Sequence, residues 1–450
     1  MEHADRAAGL REMRGAAENT AGYRRIVSLF DKGSFNEIDA YARSGDGPAE
    51  AVAGCGTVNG CPACAFSQNP DVSRGAMSKA QASKIKKTCQ LALKAGVPLV
   101  GIYDSVGGRL DEGADMLAAC GEILLAANSL SGVVPQIALV LGPCVGTAAM
   151  VAAGADLVVM SDKGELTVST RGGDGSPAEA EKLGVCQIAA ESEDAALRAV
   201  RGLLSALPSN NVAGAPLFDA APPKKQTAPG TPMREIVASV CDGGEFLELG
   251  AKFGGSAVTG FAHIGGTAAG VCALTGVLGP DACSKAARFV RFCDAFSLPV
   301  VTFVDAERFE TLREASKLSG AYSEATTAKI AAVTGSAYGP VYIAAVGRGA
   351  NADYSFAWPD AVVSAVAPET GAVLLWNDRL KGSSDPVADR KKLIEEYRAT
   401  RAGAAEAAAG GLIEDLVEPS ETRGKLLACL EMLSGKRVAT LPKKHADIQL

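Results

Sequence analysis

The chain has 450 residues, a formal net charge of −7 and 48% hydrophobic residues, which together predict a globular protein with large cores. The negative charge argues against a nucleic-acid surface, because such a surface needs a basic patch that replaces phosphate counterions. The 12 cysteines are scattered along the chain, many of them in apolar runs, and we expect small buried thiols in a reducing cytoplasm.

After an N-terminal extension at residues 1–20, the chain begins a pattern that it later repeats. The segment Arg24–Asp39 is similar to Arg234–Gly250, and each predicts a short helix, a turn and a strand. A hairpin pattern follows in both places, with one tight turn predicted at Asn59-Gly60 and another at Gly265-Gly266.

The next repeat is the clearest one. Ala92–Ser105 matches Arg291–Ala306, and in each copy a helix ends, proline opens an apolar strand, and Asp104 or Asp305 closes it. Matching positions stay in chain order, while their separation falls from 211 residues at the first repeat to 193 at the last. A steadily drifting separation indicates a duplicated domain in which loop lengths have changed.

The last repeat includes an apolar segment. Pro135–Met150 matches Ala328–Ile343, and in each a buried strand runs through a glycine turn into a helix. The first copy belongs to an uncharged stretch at residues 129–155 that is long enough to span a membrane. Its prolines and glycines favour a buried strand at 136–141 and a small-residue helix at 146–153 instead.

These repeats predict two homologous α/β halves joined by a linker. We place the first half at residues 20–210, a linker rich in proline, alanine and lysine at 211–229, and the second half at 230–435. The second half ends in a predicted helix at Thr422–Leu433, and a polar tail occupies 436–450.

Several catalytic chemistries lack the residues they need. There are three histidines, of which two are terminal and the third, His263, is interpreted as structural, so Ser–His and Cys–His nucleophile systems have almost no candidate base. Cys55, Cys61 and Cys64 form a cluster, but alternation across it favours a strand over a metal site. No phosphate-binding P-loop or dinucleotide fingerprint is present.

Glycine at strand-to-helix turns is the remaining chemical signal. Three such turns occur, at Asp104–Arg109, Leu141–Thr147 and Ser336–Tyr342. Glycine there permits close packing of helix against sheet, which is one interpretation. It also exposes backbone N–H groups that can hold negative charge developing on an oxygen. Several such loops in both halves, with no catalytic base available, favour oxyanion sites and enolate chemistry.

At these residues the chain resembles the carboxyltransferase subunits of biotin-dependent acyl-CoA carboxylases and decarboxylases, such as the propionyl-CoA carboxylase β subunit. The resemblance covers roughly residues 20–435. Its most specific stretches are Phe66–Ile85, Tyr103–Gly113, Leu207–Asn211, Ser284–Asp305 and Ser323–Gly339.

The resemblance implies a duplicated crotonase-like (ClpP/crotonase) fold, with acyl-CoA on the first half and biotin on the second. It implies a homo-oligomer, either a dimer or a hexamer. It also implies two oxyanion holes, one for the thioester oxygen of acyl-CoA and one for the ureido oxygen of biotin.

Carried over position by position, the resemblance assigns the thioester hole to Val106 and Gly107, with Gly108 next. The ureido hole falls on Pro340 and Val341, where the family usually has Gly-Ala, so one backbone donor is missing because proline has no N–H. The family's Gly-Phe-x-Pro-Gly loop after the strand of Asp305 is also absent. The remaining candidate site residues, one catalytic and the others cofactor-binding, are Gly339, Gly146, Thr147, Tyr338 and Ile343.

No Met-Lys-Met biotinylation motif is present, so biotin is expected on a separate carrier protein. The implied partners are a biotin carboxyl carrier protein with a biotin carboxylase, or a membrane decarboxylase subunit. Three hypotheses stay open at this point. The chain is an acyl-CoA carboxyltransferase, a decarboxylase α subunit acting on a malonyl-type acyl-CoA, or a non-catalytic scaffold.

Overall fold

The structure is a computed structural model that describes residues 9, 11–12, 14–45, 47–168, 173–226, 228, 230–381, 383–439 and 447. It divides into two compact units, unit 1 at Met1–Pro216 and unit 2 at Leu217–Leu450.

Unit 1 alternates strands and helices along most of its length. Its elements are α1 (Ala21–Leu29), β1 (Asn36–Glu37), β2 (Arg43–Ser44), β3 (Gly47–Pro48), β4 (Ala51–Val58), β5 (Cys61–Gln68), α2 (Lys79–Ala95), β6 (Leu99–Ser105), α3 (Asp115–Asn128), β7 (Gln136–Val145), α4 (Thr147–Ala153), β8 (Leu157–Met160), β9 (Glu165–Thr167), α5 (Pro177–Lys182), β10 (Ile188–Ala189) and α6 (Glu193–Ala206).

Unit 2 repeats this order and then adds helices. Its elements are α7 (Met233–Val240), β11 (Phe246–Leu249), β12 (Ala257–Ile264), β13 (Thr267–Leu278), α8 (Pro280–Ala295), β14 (Val300–Phe309), α9 (Leu312–Glu324), β15 (Lys329–Tyr338), α10 (Pro340–Ala345), β16 (Tyr354–Ala357), β17 (Val362–Ser364), α11 (Pro368–Trp376), α12 (Pro386–Tyr397), α13 (Ala404–Ala409), β18 (Asp415–Leu416) and α14 (Thr422–Leu433).

The two units have the same sheet topology, which confirms the predicted duplication. In the described part of unit 1 the strand order is β1-β4-β5-β6-β7-β8-β10, with β9 paired to β7. Unit 2 has the order β11-β12-β13-β14-β15-β16-β18, with β17 paired to β15. In both sheets the first two pairings are antiparallel and the others are parallel. The carboxyl ends of the parallel strands therefore meet at one edge of each sheet.

Both predicted hairpin turns are confirmed. Asn59 and Gly60 have φ of 49° and 81° between β4 and β5, and Gly265 and Gly266 have φ of 62° and 79° between β12 and β13. Two consecutive residues with positive φ form the turn whose twist matches that of the flanking strands. Asparagine and glycine tolerate positive φ, so these two-residue turns set the register of each hairpin.

In unit 1 a carboxylate and an arginine hold the hairpin turn against the helices. Asp31 accepts hydrogen bonds from the N–H of Asn59 (3.0 Å) and of Gly60 (2.8 Å). Arg201 of α6 donates to Asp31 at 2.9 Å and to the carbonyl oxygen of Leu29 at 2.5 Å. One ion pair therefore joins the first helix, the hairpin and the last helix of the unit.

Unit 2 contains the same arrangement, in which Asp242 and Arg423 hold the hairpin turn; we call it the clamp of unit 2. Asp242 accepts hydrogen bonds from the N–H of Gly265 (3.0 Å) and of Gly266 (2.7 Å). Arg423 of α14 donates to Asp242 at 2.5 Å and also to the carbonyl oxygen of Val240. Burial by itself would raise the pKa of Asp242, but the hydrogen bonds from Arg423 and the two glycines lower it below its ordinary value.

The apolar stretch at 129–155 contains the buried strand and the small-residue helix that the sequence predicts. Strand β7 is almost fully buried, and α4 buries Ala148, Ala149, Val151 and Ala152. Among the residues described above, none of the helices combines the length and the apolar character that crossing a membrane requires.

Two expectations from the sequence are wrong. Cys55 and Cys64 form a disulfide, because they face each other across β4 and β5 with their Cα atoms 4.1 Å apart, and Cys61 is exposed. The other cysteines are buried free thiols, as expected. In addition, Asp305 does not close its strand, because β14 continues to Phe309 and pairs with the end of β13.

The clamp of unit 2 predicts a stability change. The substitution Asp242→Asn should lower the free energy of unfolding at pH 7 by about 2–3 kcal/mol, because Arg423 and the N–H groups of Gly265 and Gly266 lose a charged acceptor. The lowered pKa means that the carboxylate stabilises the fold above its unfolded pKa near 3.8 and that this contribution is lost as pH falls.

Urea unfolding at pH 7 and pH 3 measures this change, and the deficit of the variant should shrink at the lower pH, which lies below the unfolded pKa. Asp378→Asn is the matched control, because the Asp378 side chain is 86% exposed and its pair with Lys381 should contribute little. Equal effects from the two substitutions would contradict the role of the clamp.

Candidate active site

A pocket of about 250 Å³ opens in unit 1 at the carboxyl ends of β6 and β7. Two glycine turns predicted from the sequence, one after each strand, lie on its wall together. Its lining residues are Met77, Gly107, Gly108, Met116, Cys120, Val145, Gly146, Thr147 and Ala148. The position agrees with the rule that ligands bind beyond the carboxyl ends of parallel strands.

The first wall is the loop that follows β6. The N–H of Val106 donates to the carbonyl oxygen of Arg74 at 3.3 Å, and the N–H of Gly107 donates to Ser105 Oγ at 3.2 Å. The N–H of Gly108 has no hydrogen-bond partner among the residues that the structure describes. Of the three donors predicted in this loop, Gly108 is therefore the one open to a ligand, and Val106 is outside the lining.

The second wall is the turn from β7 into α4. Gly146 has φ 69° and ψ −128°, and its N–H donates to the carbonyl oxygen of Thr167 at 2.9 Å. The N–H groups of Thr147 and Ala148, at the start of α4, have no partner within the described ranges. Three backbone donors, from Gly108, Thr147 and Ala148, thus belong to residues that line one pocket.

The titratable groups of the lining do not include a base or an activated nucleophile. Cys120 is the thiol there, and its sulfur lies 3.4 Å from that of Met77. Burial raises the pKa of Cys120, although a hydrogen bond with Thr147 opposes the rise. A thiol with a raised pKa is a poor nucleophile at neutral pH. The chemistry of this pocket therefore depends on backbone donors.

In each unit an aspartate near the end of one strand faces a glycine of the next strand; Asp104 is partly buried and Asp305 is exposed. A Cβ atom at Gly142 would lie 2.4 Å from the carboxylate of Asp104, and one at Gly335 would lie 2.2 Å from that of Asp305. Arg25 pairs with Asp104 at 2.7 Å. Burial would lower the pKa of Arg25, but its hydrogen bonds with Glu193 and Asp104 raise it overall.

Unit 2 has the same strand-to-helix turn with different donors. Gly339 has φ 42° and ψ −112°, and its N–H donates to the carbonyl oxygen of Ser364 at 2.8 Å, as Gly146 does to Thr167. Pro340 is the first residue of α10 and occupies the position that Thr147 occupies in unit 1. The N–H of Val341 has no partner in the described part of the chain. This turn therefore offers one donor fewer.

The other predicted residues of unit 2 lie around this turn. Ile343 is on α10 and is 56% exposed, so it is available to a ligand. Tyr338 ends β15, and its hydroxyl accepts a hydrogen bond from Ser336 Oγ at 3.1 Å. Burial raises the pKa of Tyr338. His263 is away from the turn, half-buried and stacked on Phe218 with ring centroids 3.9 Å apart, in a structural position.

Within the described ranges, no group of three or more histidine, cysteine, aspartate or glutamate side chains is arranged to hold a metal ion.

Some residues that line the pocket were not predicted from the sequence, namely Met77, Met116, Cys120, Val145 and Ala148. Met77 and Met116 precede or begin helices that cover the sheet, and their apolar character indicates only burial. No local signal separates such a residue from the rest of the core.

Comparison with known proteins identifies the family. The sequence profile of the carboxyl transferase domain matches residues 18–448. The chain belongs to the carboxyl transferase family. The propionyl-CoA carboxylase beta chain of Saccharopolyspora erythraea is 36% identical, over 95% of this chain and 90% of the relative. The methylmalonyl-CoA decarboxylase subunit alpha of Propionigenium modestum is 32% identical, over 98% and 95% respectively.

A solved structure of this carboxyl transferase family has the same fold. Transcarboxylase 12S, with methylmalonyl-coenzyme A and methylmalonic acid bound, matches with a TM-score of 0.91 and 32% identity over 99% of each chain. Transcarboxylase 12S assembles as a hexamer. The duplicated crotonase-like fold expected from the sequence is confirmed, whereas the roles of the individual site residues stay a prediction.

The turn of unit 1 predicts a backbone effect in this carboxyl transferase. Gly146→Ala should lower the free energy of unfolding by about 1–3 kcal/mol, because φ 69° with ψ −128° is a conformation that side chains disfavour. A Cβ atom there would meet nothing within 4 Å, so the cost is conformational and not steric.

The same substitution in the middle of α3 provides the control. Gly121 also has nothing within 4 Å of a Cβ position, but it is helical, so Gly121→Ala should raise the free energy of unfolding by about 0.5–1 kcal/mol. Chemical denaturation measures both variants. A Gly146→Ala protein as stable as the wild type would show that this turn is not strained by a side chain.

Proposed function

We propose that this protein transfers a carboxyl group between an acyl-CoA and biotin attached to a separate carrier protein. Unit 1 would hold the acyl-CoA and unit 2 the biotin. The observation that carries the proposal is the unit 1 pocket, in which unpaired backbone N–H groups line a space without a catalytic base. The names of the relatives support acyl-CoA as the substrate, because they include propionyl-CoA and methylmalonyl-CoA enzymes.

The backbone donors would stabilise the oxygen of the thioester. When a proton or carboxyl group leaves the carbon next to a thioester, negative charge moves to the carbonyl oxygen. The N–H groups of Gly108, Thr147 and Ala148 are available to that oxygen, and donors of this kind stabilise a developing oxyanion more than a neutral carbonyl. Since the lining offers no carboxylate, histidine or lysine, the proton acceptor must come from outside this pocket.

The unit 2 turn fits the ureido oxygen of biotin with a reduced set of donors. Biotin supplies the carboxyl donor or acceptor when it is bound. The N–H of Val341 is free to hold its ureido oxygen, and the close approach of the backbone at Gly339, where a Cβ would lie 2.7 Å from the carbonyl oxygen of Ala365, keeps the turn tight. Pro340 has no N–H, so Val341 would act with fewer neighbouring N–H donors than Thr147 has in unit 1.

Pro340 also favours a second candidate function. A unit 2 turn that binds biotin weakly would suit a scaffold subunit within a carboxylase complex. Among catalytic alternatives, the relatives include enzymes that add, remove and transfer carboxyl groups, so the direction of transfer stays open between carboxylation and decarboxylation. In either catalytic case we propose a homo-oligomer that works with a biotin carboxyl carrier protein. A biotin carboxylase or a membrane decarboxylase subunit would complete the system.

Binding and transfer assays test the proposal directly. Calorimetry with acetyl-, propionyl- and methylmalonyl-CoA should give dissociation constants between micromolar and millimolar. Incubation of methylmalonyl- or malonyl-CoA with free biotin should then release the decarboxylated acyl-CoA in a biotin-dependent way. No binding of any of these thioesters by folded protein would refute the enzyme, and binding without transfer would favour the scaffold.

The two turns also allow a reciprocal substitution. Thr147→Pro removes one N–H from unit 1 at a position where unit 2 itself carries proline, and proline is well tolerated at the first residue of a helix. The loss of one oxyanion donor costs about 3 kcal/mol, so transfer should slow on the order of a hundredfold. Pro340→Gly restores an N–H in unit 2 and should speed transfer to or from biotin, with acyl-CoA affinity little changed.

Steady-state kinetics with acyl-CoA and with free biotin as varied substrates measure these effects. Thr147→Ser, which retains the N–H, should keep most of the rate and serves as the control. An unchanged rate in folded Thr147→Pro protein would exclude this N–H as a donor. An unchanged or lower rate in Pro340→Gly would show that the unit 2 turn does not hold biotin.

A further inference from the structure

Arg109 is the residue after the donor Gly108, and its side chain lies between a buried and an exposed carboxylate. Its Nη1 donates to Glu50 Oε1 at 3.0 Å, and its Nε donates to Asp111 Oδ1 at 3.0 Å. The Glu50 side chain is 1% exposed and the Asp111 side chain is 62% exposed. Solvent screens the second ion pair and not the first, so Glu50 is the partner that restrains the guanidinium.

Glu50 also connects two other elements to this arginine. Its Oε2 accepts a hydrogen bond from Ser78 Oγ at 2.5 Å, and Ser78 Oγ in turn caps α2 by accepting from the N–H of Gln81 at 3.1 Å. Arg109 Nη1 donates in addition to Ser44 Oγ at 2.9 Å. One buried carboxylate therefore joins the start of α2, the β2 strand and the loop after β6.

The backbone on either side of Gly108 is held by the same region. The N–H of Met77 donates to the carbonyl oxygen of Gly107 at 2.8 Å, and the N–H of Arg109 donates to the carbonyl oxygen of Met77 at 2.9 Å. A Cβ atom at Gly108 would lie 1.7 Å from Met116 Sδ, so the peptide also contacts α3 closely. The free N–H of Gly108 thus lies between two restrained residues.

We infer that Glu50 is a positioning residue that acts through Arg109 to aim the Gly108 N–H into the pocket. This inference rests on the proposed function, because it assigns the residue to the thioester side of the same site. Glu50 does not line the pocket and does not touch the substrate. Its effect on the reaction is indirect, through the loop.

Substitution of the two carboxylates provides a matched comparison on one arginine. Glu50→Gln keeps the volume and some hydrogen bonding but removes the buried counter-charge, so the loop should lose its fixed position. A displaced oxyanion donor affects the transition state and not thioester binding, so kcat should fall about ten- to hundredfold while the dissociation constant for propionyl-CoA changes less than about twofold. Asp111→Asn should leave both quantities unchanged.

Arg109→Lys provides a second route if Glu50→Gln folds poorly. Lysine keeps the charge but cannot reach Glu50, Ser44 and Asp111 with one fork of donors. The loss of kcat should resemble that of Glu50→Gln, and the double variant should be little slower than either single variant, because both remove the same contact. Additive losses would contradict the inference.

The experiment combines transfer kinetics with methylmalonyl-CoA and free biotin, calorimetry with propionyl-CoA, and hydrogen exchange of the amides at 106–109. The expected result is faster exchange and lower kcat in Glu50→Gln alone, with unchanged affinity. Equal behaviour of Glu50→Gln and Asp111→Asn, or exchange in Glu50→Gln at the wild-type rate, would overturn the inference. Absence of transfer in the wild-type protein would instead refute the proposed function, and the exchange data would still decide whether Glu50 holds the loop.

Discussion

A glycine with positive φ follows β7 in unit 1 and β15 in unit 2, and the donors at the start of the next helix depend on this turn. Gly146 and Gly339 each donate their N–H to a neighbouring strand, through the carbonyl oxygens of Thr167 and Ser364. The chain then reverses into a short helix whose first N–H groups have no partner in the described structure. A side chain at either glycine would strain the backbone, so the open donors follow from one conformational constraint.

The duplicated framework has been used differently in the two units. In unit 1, β6 ends at Ser105 and a glycine loop follows, whereas in unit 2 the corresponding strand β14 continues to Phe309. Thr147 contributes an N–H where Pro340 cannot. The same backbone plan therefore offers more open N–H donors at the turn of unit 1 than at the turn of unit 2.

Buried charge supports each unit near the carboxyl ends of its strands. In unit 1, the Glu50 carboxylate accepts hydrogen bonds from Ser78 and Arg109. In unit 2, Glu314 is 3% exposed and accepts from Ser284 at 2.8 Å. Burial would raise the pKa of Glu314, but its hydrogen bonds with Ser284, Lys317 and Arg313 lower it overall. Since a buried carboxylate without partners is costly, each such cluster fixes the elements that supply its donors.

Local patterns in the sequence were sufficient for the duplication, both hairpin turns at Asn59-Gly60 and Gly265-Gly266, and the helix at Thr422–Leu433. These features depend on the conformational preferences of neighbouring residues or on repeated spacing, which a single sequence displays. Cys55 and Cys64 face each other because the two-residue turn at Asn59-Gly60 sets the register of their hairpin. The resemblance of the ordered motifs to a known family identified that family, and the glycine turns indicated the correct edge of each sheet.

The tertiary structure decided which N–H groups are free. The N–H groups of Val106 and Gly107 form hydrogen bonds within the protein, whereas that of Gly108 has no partner in the described structure. The tertiary structure also decided the pairing of Glu50 with Arg109 across 59 residues of chain. That contact depends on how distant segments pack, and no spacing or propensity within either segment encodes the partner.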